Sequence, residues 1–410
     1  MSDTSISGTP KSNVQLFDAL VIGGGPSGTS TALMLARSGM QVALVEKADF
    51  PRRKVCGEYL SATNTPLLKE LEIHADFARS AGPAIKRVAI FAQSKSVTAP
   101  LPRNQEYRLC GRALSRDKLD TLLLNRAQAA GVVVYQPYAC DQLTRLGSTF
   151  VASATNAHTR EPIHCEAALV IAAHGSWHKQ ECGTFTPRSK SRPSDLFGFK
   201  AHFAEANLKS SLMPLLSFHG GYGGMVNCDA GRTSLSCCLR RDRLNALDRT
   251  NGRSAGDAVL EHIFRSTPVL KPVLDGAEVE GAWMCAGPLQ PGIRPAYRDG
   301  IFYVGNAAGE AHPIIAEGIS MALQSGWLVA KHLTEWHSRG ANAAELLQVG
   351  QQYTQAWRQH FAPRLRFAAG LAHWAMRPWL VSASCEVTRR IPRLLTWGAQ
   401  LSGKDTFVVS

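Results

Sequence analysis

"VIGGGPSGTSTALMLARSGMQVALVEK", Val21 to Lys47, decides the fold. An apolar run of strand type, Phe17 to Ile22, leads into it. Gly23, Gly25 and Gly28 follow in the spacing G-x-G-x-x-G, with Pro26 and Ser27 between the last two. Thr29 to Ser38 reads as helix, with Leu33, Leu35 and Ala36 apolar, and Gly39 stops it. Met40 to Val45 is a second strand, and Glu46 stands at its end, followed by Lys47. This is a complete βαβ unit. The first glycine permits a tight turn, the second lets backbone approach a pyrophosphate, and the third lets helix pack on strand. The helix N-terminus then faces the phosphates. Glu46 lies 18 residues after Gly28, where a carboxylate accepts hydrogen bonds from ribose hydroxyls. An acid at that position disfavours a 2′-phosphate, so the ligand carries the adenosine diphosphate moiety of NAD or FAD.

The rest of the chain is consistent with a large globular protein. Its 410 residues are 45% hydrophobic, enough for one large or two interleaved domains. No apolar run reaches the length of a membrane-spanning helix. Residues 1–15 are polar and read as a disordered leader. The ten cysteines are scattered without a C-x-x-C pair, which argues against a metal site and a disulfide framework and favours a reducing cytoplasm. Cys237 and Cys238, adjacent on an expected strand, point to opposite faces. The net charge of +13 arrives without a nucleic-acid-binding motif, so an anionic cofactor, an acidic partner or an anionic membrane surface explains it better than nucleic acid.

A second glycine-rich segment completes the cofactor site. "GIFYVGNAAGEAHPIIAEGISMALQSG", Gly300 to Gly326, reads as a strand at Ile301–Val304, then a loop through Gly305, Asn306 and Ala307. Pro313 breaks that loop, and a helix starts at Gly318 and Ile319 and runs to Gly326. Small residues and a helix N-terminus again mean close backbone approach to an anionic group. Gly305 lies 277 residues beyond Gly28, and a ligand long enough to use both loops is FAD.

Four stretches carry a family resemblance: G-x-G-x-x-G with Glu46, "FPRRKVCGEYLS" from Phe50 to Ser61, "SRDKLD" with Arg116 four residues before Asp120, and the Gly300–Gly326 block. Together they resemble the FAD-dependent oxidoreductases that include the aromatic-ring hydroxylases and the geranylgeranyl reductases. The resemblance implies an α/β fold: a Rossmann-like FAD-binding domain, an inserted antiparallel-sheet substrate domain and a helical C-terminal tail. On this reading the FAD-binding domain comprises residues 16–75, 110–180 and 290–335, the substrate domain 76–109 and 181–289, and the helical region 336–410. It also implies that Arg116 lies near the cofactor phosphates and that Asn306, where the family usually has Asp, reaches a ribityl hydroxyl. Arg53 and Lys54 are expected to meet cofactor phosphate or solvent. Ala173, His174 and Gly175 replace the family's A-D-G motif. The resemblance further places Cys56 in the segment lining the cavity over the flavin, as a candidate proton donor.

His312, before Pro313, is a candidate acid or base. Backbone N–H groups at Gly318 and Ile319 can stabilise a reduced flavin. "HGGYGG", His219 to Gly224, has glycines but strand-like sequence after it, and reads as a sheet turn. With no second dinucleotide domain, electrons are expected from NAD(P)H bound transiently or from a redox partner. Proline at 363, 378 and 392 is expected to interrupt the C-terminal helices. Between Phe361 and Leu401 stand six arginines, Trp374, Trp379 and Trp397, and one acid, Glu386. This stretch either packs on the body with a solvated basic face or lies on an anionic membrane, which would put the protein at the inner face of the membrane rather than free in the cytoplasm. The expected activity is oxidation by a monooxygenase of an apolar aromatic, polyketide or quinone-like small molecule. The alternative is saturation of isoprenoid double bonds. A nucleotide-binding protein without turnover is the non-enzyme rival. A related halogenase would carry a W-x-W-x-I-P segment, which is not found.

Overall fold

The computed structural model describes residues 14–101, 110–176, 191–247, 252–340 and 342–404. The expected leader lies outside them except for Val14 and Gln15, which begin the first strand, Val14–Ile22.

Two sheets organise the chain. The first has strands in the order Tyr297–Arg298, Ile301–Tyr303, Pro162–Ala172, Val14–Ile22, Val42–Val45 and Val133–Tyr135. From Ile301–Tyr303 to Val133–Tyr135 these strands run parallel. Register puts Ile22 opposite both Val45 and Ala172, and Ala172 opposite Tyr303. The carboxyl ends of four strands therefore finish level, and the loops that leave them, at Gly23, Glu46, Ala173 and Val304, gather at one edge. That is where an open parallel sheet binds its ligand. The second sheet runs in the order Glu278–Leu289, Leu196–Ala204, Thr233–Arg240, Gly221–Asn227, Leu212–Phe218, Arg87–Ala92 and Lys95–Pro100. Its pairings are antiparallel, except that Leu212–Phe218 runs parallel to Arg87–Ala92.

The helices are α1 (Pro26–Arg37), α2 (Thr65–Glu70), α3 (His74–Ser80), α4 (Arg116–Ala129), α5 (Arg241–Asn245), α6 (Ala255–Ser266), α7 (Gly318–Ser338), α8 (Leu346–Ala375), α9 (Pro378–Arg390) and α10 (Arg393–Leu401). This is the expected α/β class, with a Rossmann-like parallel sheet, a mainly antiparallel second sheet and a helical end. The stretch from Leu244 to Phe264, expected as largely helical, falls to α5 and α6, with 248–251 outside the described residues.

Two expected helix stops are not stops. α7 continues through Gly326 to Ser338. A Cβ at Gly326 would sit 2.4 Å from Ser30 Oγ and 2.5 Å from Ser27 O, so the glycine is there to let α7 cross α1 closely. α8 runs unbroken through Pro363 for 30 residues. Tyr353, Trp357, Phe361 and Leu365 bury one face of α8 around the proline, and that packing outweighs the lost backbone hydrogen bond. Pro378 and Pro392 do mark boundaries, at the start of α9 and just before α10.

Candidate functional site

The first glycine loop is built as its spacing demands. Gly23 has φ +114, and a Cβ there would lie 2.5 Å from Ala173 O. A Cβ on Gly28 would lie 1.9 Å from Gly23 O. Gly25 caps α1, and Pro26 occupies its first turn, where the missing N–H costs nothing. Glu46 is buried and holds the loop: Oε2 accepts from Gly24 N–H at 2.7 Å, and Oε1 accepts from Ala48 N–H at 2.9 Å. Lys47, its neighbour, is exposed and turned away from the cavity lining.

The second loop meets the first. Gly305 has φ +58, and a Cβ on it would come within 2.7 Å of Ser27 Oγ. Its N–H donates to Ser325 Oγ of α7 at 2.8 Å. Asn306 Nδ2 donates to Ser176 Oγ at 3.0 Å, and its carbonyl accepts from Arg294 Nη1. Ala307 is buried behind them. Two segments far apart in sequence thus form one edge through the close crossing of α1 and α7.

A cavity of about 240 Å³ opens at this edge. Gly25, Pro26, Ser27, Lys54, Arg116 and Asn306 line its cofactor end, with Pro313, Gly318 and Ile319. Arg116 clasps Asp120 at 2.6 and 2.7 Å, and that carboxylate, against the opposing effect of burial, holds the guanidinium firmly charged. Arg52 lies 3.7 Å from both Glu46 and Asp120. Its buried Nε has no hydrogen-bond partner among the described residues. Burial and the neighbouring Arg116 and Arg52 lower the half-buried Lys54 amine to about 8. Three cations face two carboxylates beside a helix N-terminus. The residual positive field, the unpartnered Nε and the depressed amine all fit a pyrophosphate, and so FAD across the two loops. Arg53, expected toward phosphate or solvent, instead reaches His202 Nδ1 at 3.1 Å.

The other end of the cavity belongs to the second sheet. Met213, Leu215, Met225, Val226 and Leu289 make it apolar. "HGGYGG" is a sheet turn as expected: His219 and Gly220 join two strands, and Gly221–Asn227 pairs on both sides. Its glycines also have a second effect. A Cβ on Gly223 would lie 2.7 Å from Cys237 Cβ, so the strand packs closely and carries Tyr222 into the cavity. Tyr222 Oη lies 3.2 Å from His312 Nδ1. Burial, then the exposed His373, holds His312 down at about 4, so its imidazole is neutral near pH 7. Burial raises the Tyr222 phenol well above its ordinary value. Cys237 and Cys238 pack into separate clusters on the two faces of their strand. Burial pushes the Cys238 thiol up to about 12.

Cys56 lines the cavity between the two ends. Its sulfur accepts from Glu58 N–H at 3.4 Å and is hydrogen-bonded to the Arg116 side chain. His174 is half-buried, with Nδ1 3.1 Å from Gly175 O.

Sequence reasoning missed a buried ionic knot under Cys56. Glu58 pairs with Lys200, and its Oε2 lies 2.8 Å from His202 Nε2. All three are almost fully buried. Burial opposes ionisation of Glu58, but the His202 hydrogen bond and the Lys200 charge win and hold its carboxyl at about 2. With Cys228, Glu58 and His202 converge like ligands. The carboxylate is already paired with Lys200, however, and His202 Nδ1 accepts from Arg53, so the group reads as a knot that ties the segment carrying Cys56 to the second sheet.

Comparison with known proteins agrees with this geometry. Conditioned medium factor receptor 1 of Dictyostelium discoideum is 24% identical over 95% of this chain and 77% of its own length. Digeranylgeranylglycerophospholipid reductase of Thermoplasma volcanium is 27% identical over 78% of each chain. Among solved structures, the myxobacterial chondrochloren halogenase CndH superposes with a TM-score of 0.77 at 18% identity, over 94% of this chain and 91% of its own. Residues 17–362 match the family described as FAD binding domain. The chain belongs to that family and is an FAD-dependent oxidoreductase.

Proposed function

We propose that this enzyme is a monooxygenase that hydroxylates an apolar aromatic or quinone-like ring bearing a hydroxyl group. The observation that carries the reading is the Tyr222–His312 pair at the far, mainly apolar end of the cavity. Bound FAD, once reduced, supplies the activation of dioxygen. The chain's own residues bind and activate the ring. Met213, Leu215, Met225 and Val226 desolvate it. Tyr222 hydrogen-bonds its hydroxyl, and neutral His312 takes the phenolic proton through Tyr222, which makes the ring electron-rich where oxygen arrives. His373, exposed and with its ring 6.4 Å from that of His312, gives the proton a way out. Electrons come from NAD(P)H bound transiently or from a redox partner.

The second reading, saturation of an isoprenoid double bond, is supported by Cys56 in the cavity wall and by the reductase relative. It needs a protein acid. Cys56 spends its sulfur on Arg116 and on the Glu58 amide, which weakens it for that role. The test is anaerobic photoreduction followed by mixing with air, with and without a long-chain alkylphenol. Reoxidation quickened by the phenol, with hydroxylated product, supports the monooxygenase. A reduced flavin that persists in air and consumes an isoprenoid double bond overturns it.

A further inference from the structure

Twelve large apolar side chains are exposed among the described residues, and six of them lie in or beside the last two helices. They are Trp379, Val387, Ile391, Leu394, Trp397 and Leu401. Their spacing makes a face. On α9, Trp379, Ala383 and Val387 recur every four residues and are exposed, while Val381 and Cys385 are buried on the other side. On α10, Leu394, Trp397 and Leu401 fall at i, i+3 and i+7. Arg377, Arg389, Arg390 and Arg393 are exposed around them. The single acid, Glu386, is taken by Arg389 at 2.6 Å. An exposed apolar patch of this size needs a cover. Tryptophan with a basic rim is the composition of a helix lying in the headgroup region of an anionic bilayer.

The inner side of the same helices faces the site. Val381 and Cys385 pack on Ile90, Ala92 and Val97 of the second sheet. Leu395 and Ala399 of α10 pack against a cluster that includes Met213, Leu215 and Ala316, all in the cavity wall. Just beyond α10, Lys404 Nζ donates to Glu317 Oε1 at 2.8 Å and to Ile315 O at 2.5 Å, which ties the end of the tail to the start of α7. One helix therefore separates the exposed face from the cavity. No described helix is long and apolar enough to cross a membrane.

We propose that α9 and α10 are an interfacial element that seats the enzyme on an anionic lipid surface, with Trp379, Trp397 and Leu401 in the acyl boundary and Arg389, Arg390 and Arg393 on the headgroups. The apolar cavity then stands one helix away from the bilayer. This surface does not depend on which reaction the flavin carries out.

The test is sedimentation of the holoenzyme with vesicles of phosphatidylglycerol and phosphatidylcholine, and with phosphatidylcholine alone. The enzyme is expected to pellet with the anionic vesicles and to be released by high salt. Neutralising Arg389, Arg390 and Arg393 to Gln should weaken partitioning by roughly fivefold per arginine, about a hundredfold in all. Trp379→Ser with Trp397→Ser should abolish it. Arg160→Gln with Arg339→Gln, which removes exposed charge from a hairpin of the first sheet and from just beyond α7, should leave it intact. Each variant must keep its flavin spectrum and unfolding midpoint. Absence of binding to anionic vesicles, or binding indifferent to the tryptophans, overturns the proposal. So does a dimer in lipid-free solution that Trp379→Ser and Trp397→Ser dissociate, because the face would then belong to a second copy.

Discussion

Tyr222 and His312, separated by 90 residues in sequence, meet in the cavity wall with Oη 3.2 Å from Nδ1. The first glycine loop contributes nothing to that contact. A strand of the second sheet brings the phenol and the second cofactor loop brings the imidazole, so the pair exists only where the two halves of the molecule close on each other.

His312→Gln should lower ring hydroxylation at pH 7 by about 10²- to 10⁴-fold while leaving FAD content unchanged. The loss should shrink at alkaline pH, where the substrate phenol ionises without help. In the native enzyme His312 is neutral above about pH 4, so the rate should not fall between pH 7 and 5 through this group. Rate against pH for both proteins checks this. Stability has the opposite slope. The imidazole is held below its ordinary 6.5, so the unfolded chain binds the extra proton first. Stability should therefore drop as pH falls from about 6.5 toward 4, and His312→Gln should flatten that part of the curve.

FAD affinity should depend on the Lys54 amine. It titrates at about 8 because burial and the two arginines disfavour its charge. An anionic pyrophosphate restores the charge, so affinity should weaken as pH rises through 8 and beyond. Fluorescence titration of FAD into apoprotein between pH 7 and 9.5 should show that slope in the native chain and lose it in Lys54→Met.

Glu46→Ala removes the acceptor that fixes Gly24 N–H and Ala48 N–H. Leaving such donors unpaired costs about 1–3 kcal/mol, and the ribose contact expected of this carboxylate would go with it. The FAD dissociation constant should rise at least tenfold. Equilibrium dialysis measures it directly.

Much of the cofactor end was legible in the sequence because its chemistry is local. Gly23, Gly28 and Glu46 sit within one βαβ unit, and their spacing is set by backbone geometry that no distant contact alters. Arg116 was legible through the resemblance of SRDKLD to a family motif, with Asp120 four residues on along one helix. Gly326 and Pro363 misled for the opposite reason. Their local preference is to end a helix, but tertiary packing against α1 and around Trp357 overrides it. Tyr222 was invisible because a tyrosine between glycines reads only as a turn until the strand order is known. The knot of Glu58, Lys200 and His202 was missed likewise: a glutamate and a strand whose His202 stands 144 residues further on give no pattern to count.

Glu58→Ala should destabilise the protein by about 3–5 kcal/mol, because it leaves the Lys200 ammonium buried without its counter-charge. Adding Lys200→Met should recover most of that loss, whereas two independent surface changes would simply add. Denaturant unfolding of the single and double variants decides. Glu58 is held at about 2 against an ordinary 4.5, so its stabilising share is present above about pH 4.5 and is lost as pH falls toward 2.

The most direct measurement is the fate of molecular oxygen. Photoreduced holoenzyme is mixed with an alkylphenol under ¹⁸O₂ and the product is weighed by mass spectrometry. The account predicts one labelled hydroxyl oxygen on the ring, with the yield sharply reduced in His312→Gln and largely kept in Cys56→Ala. An unlabelled phenol, together with an isoprenoid substrate that gains two hydrogens in a Cys56-dependent reaction, would contradict it.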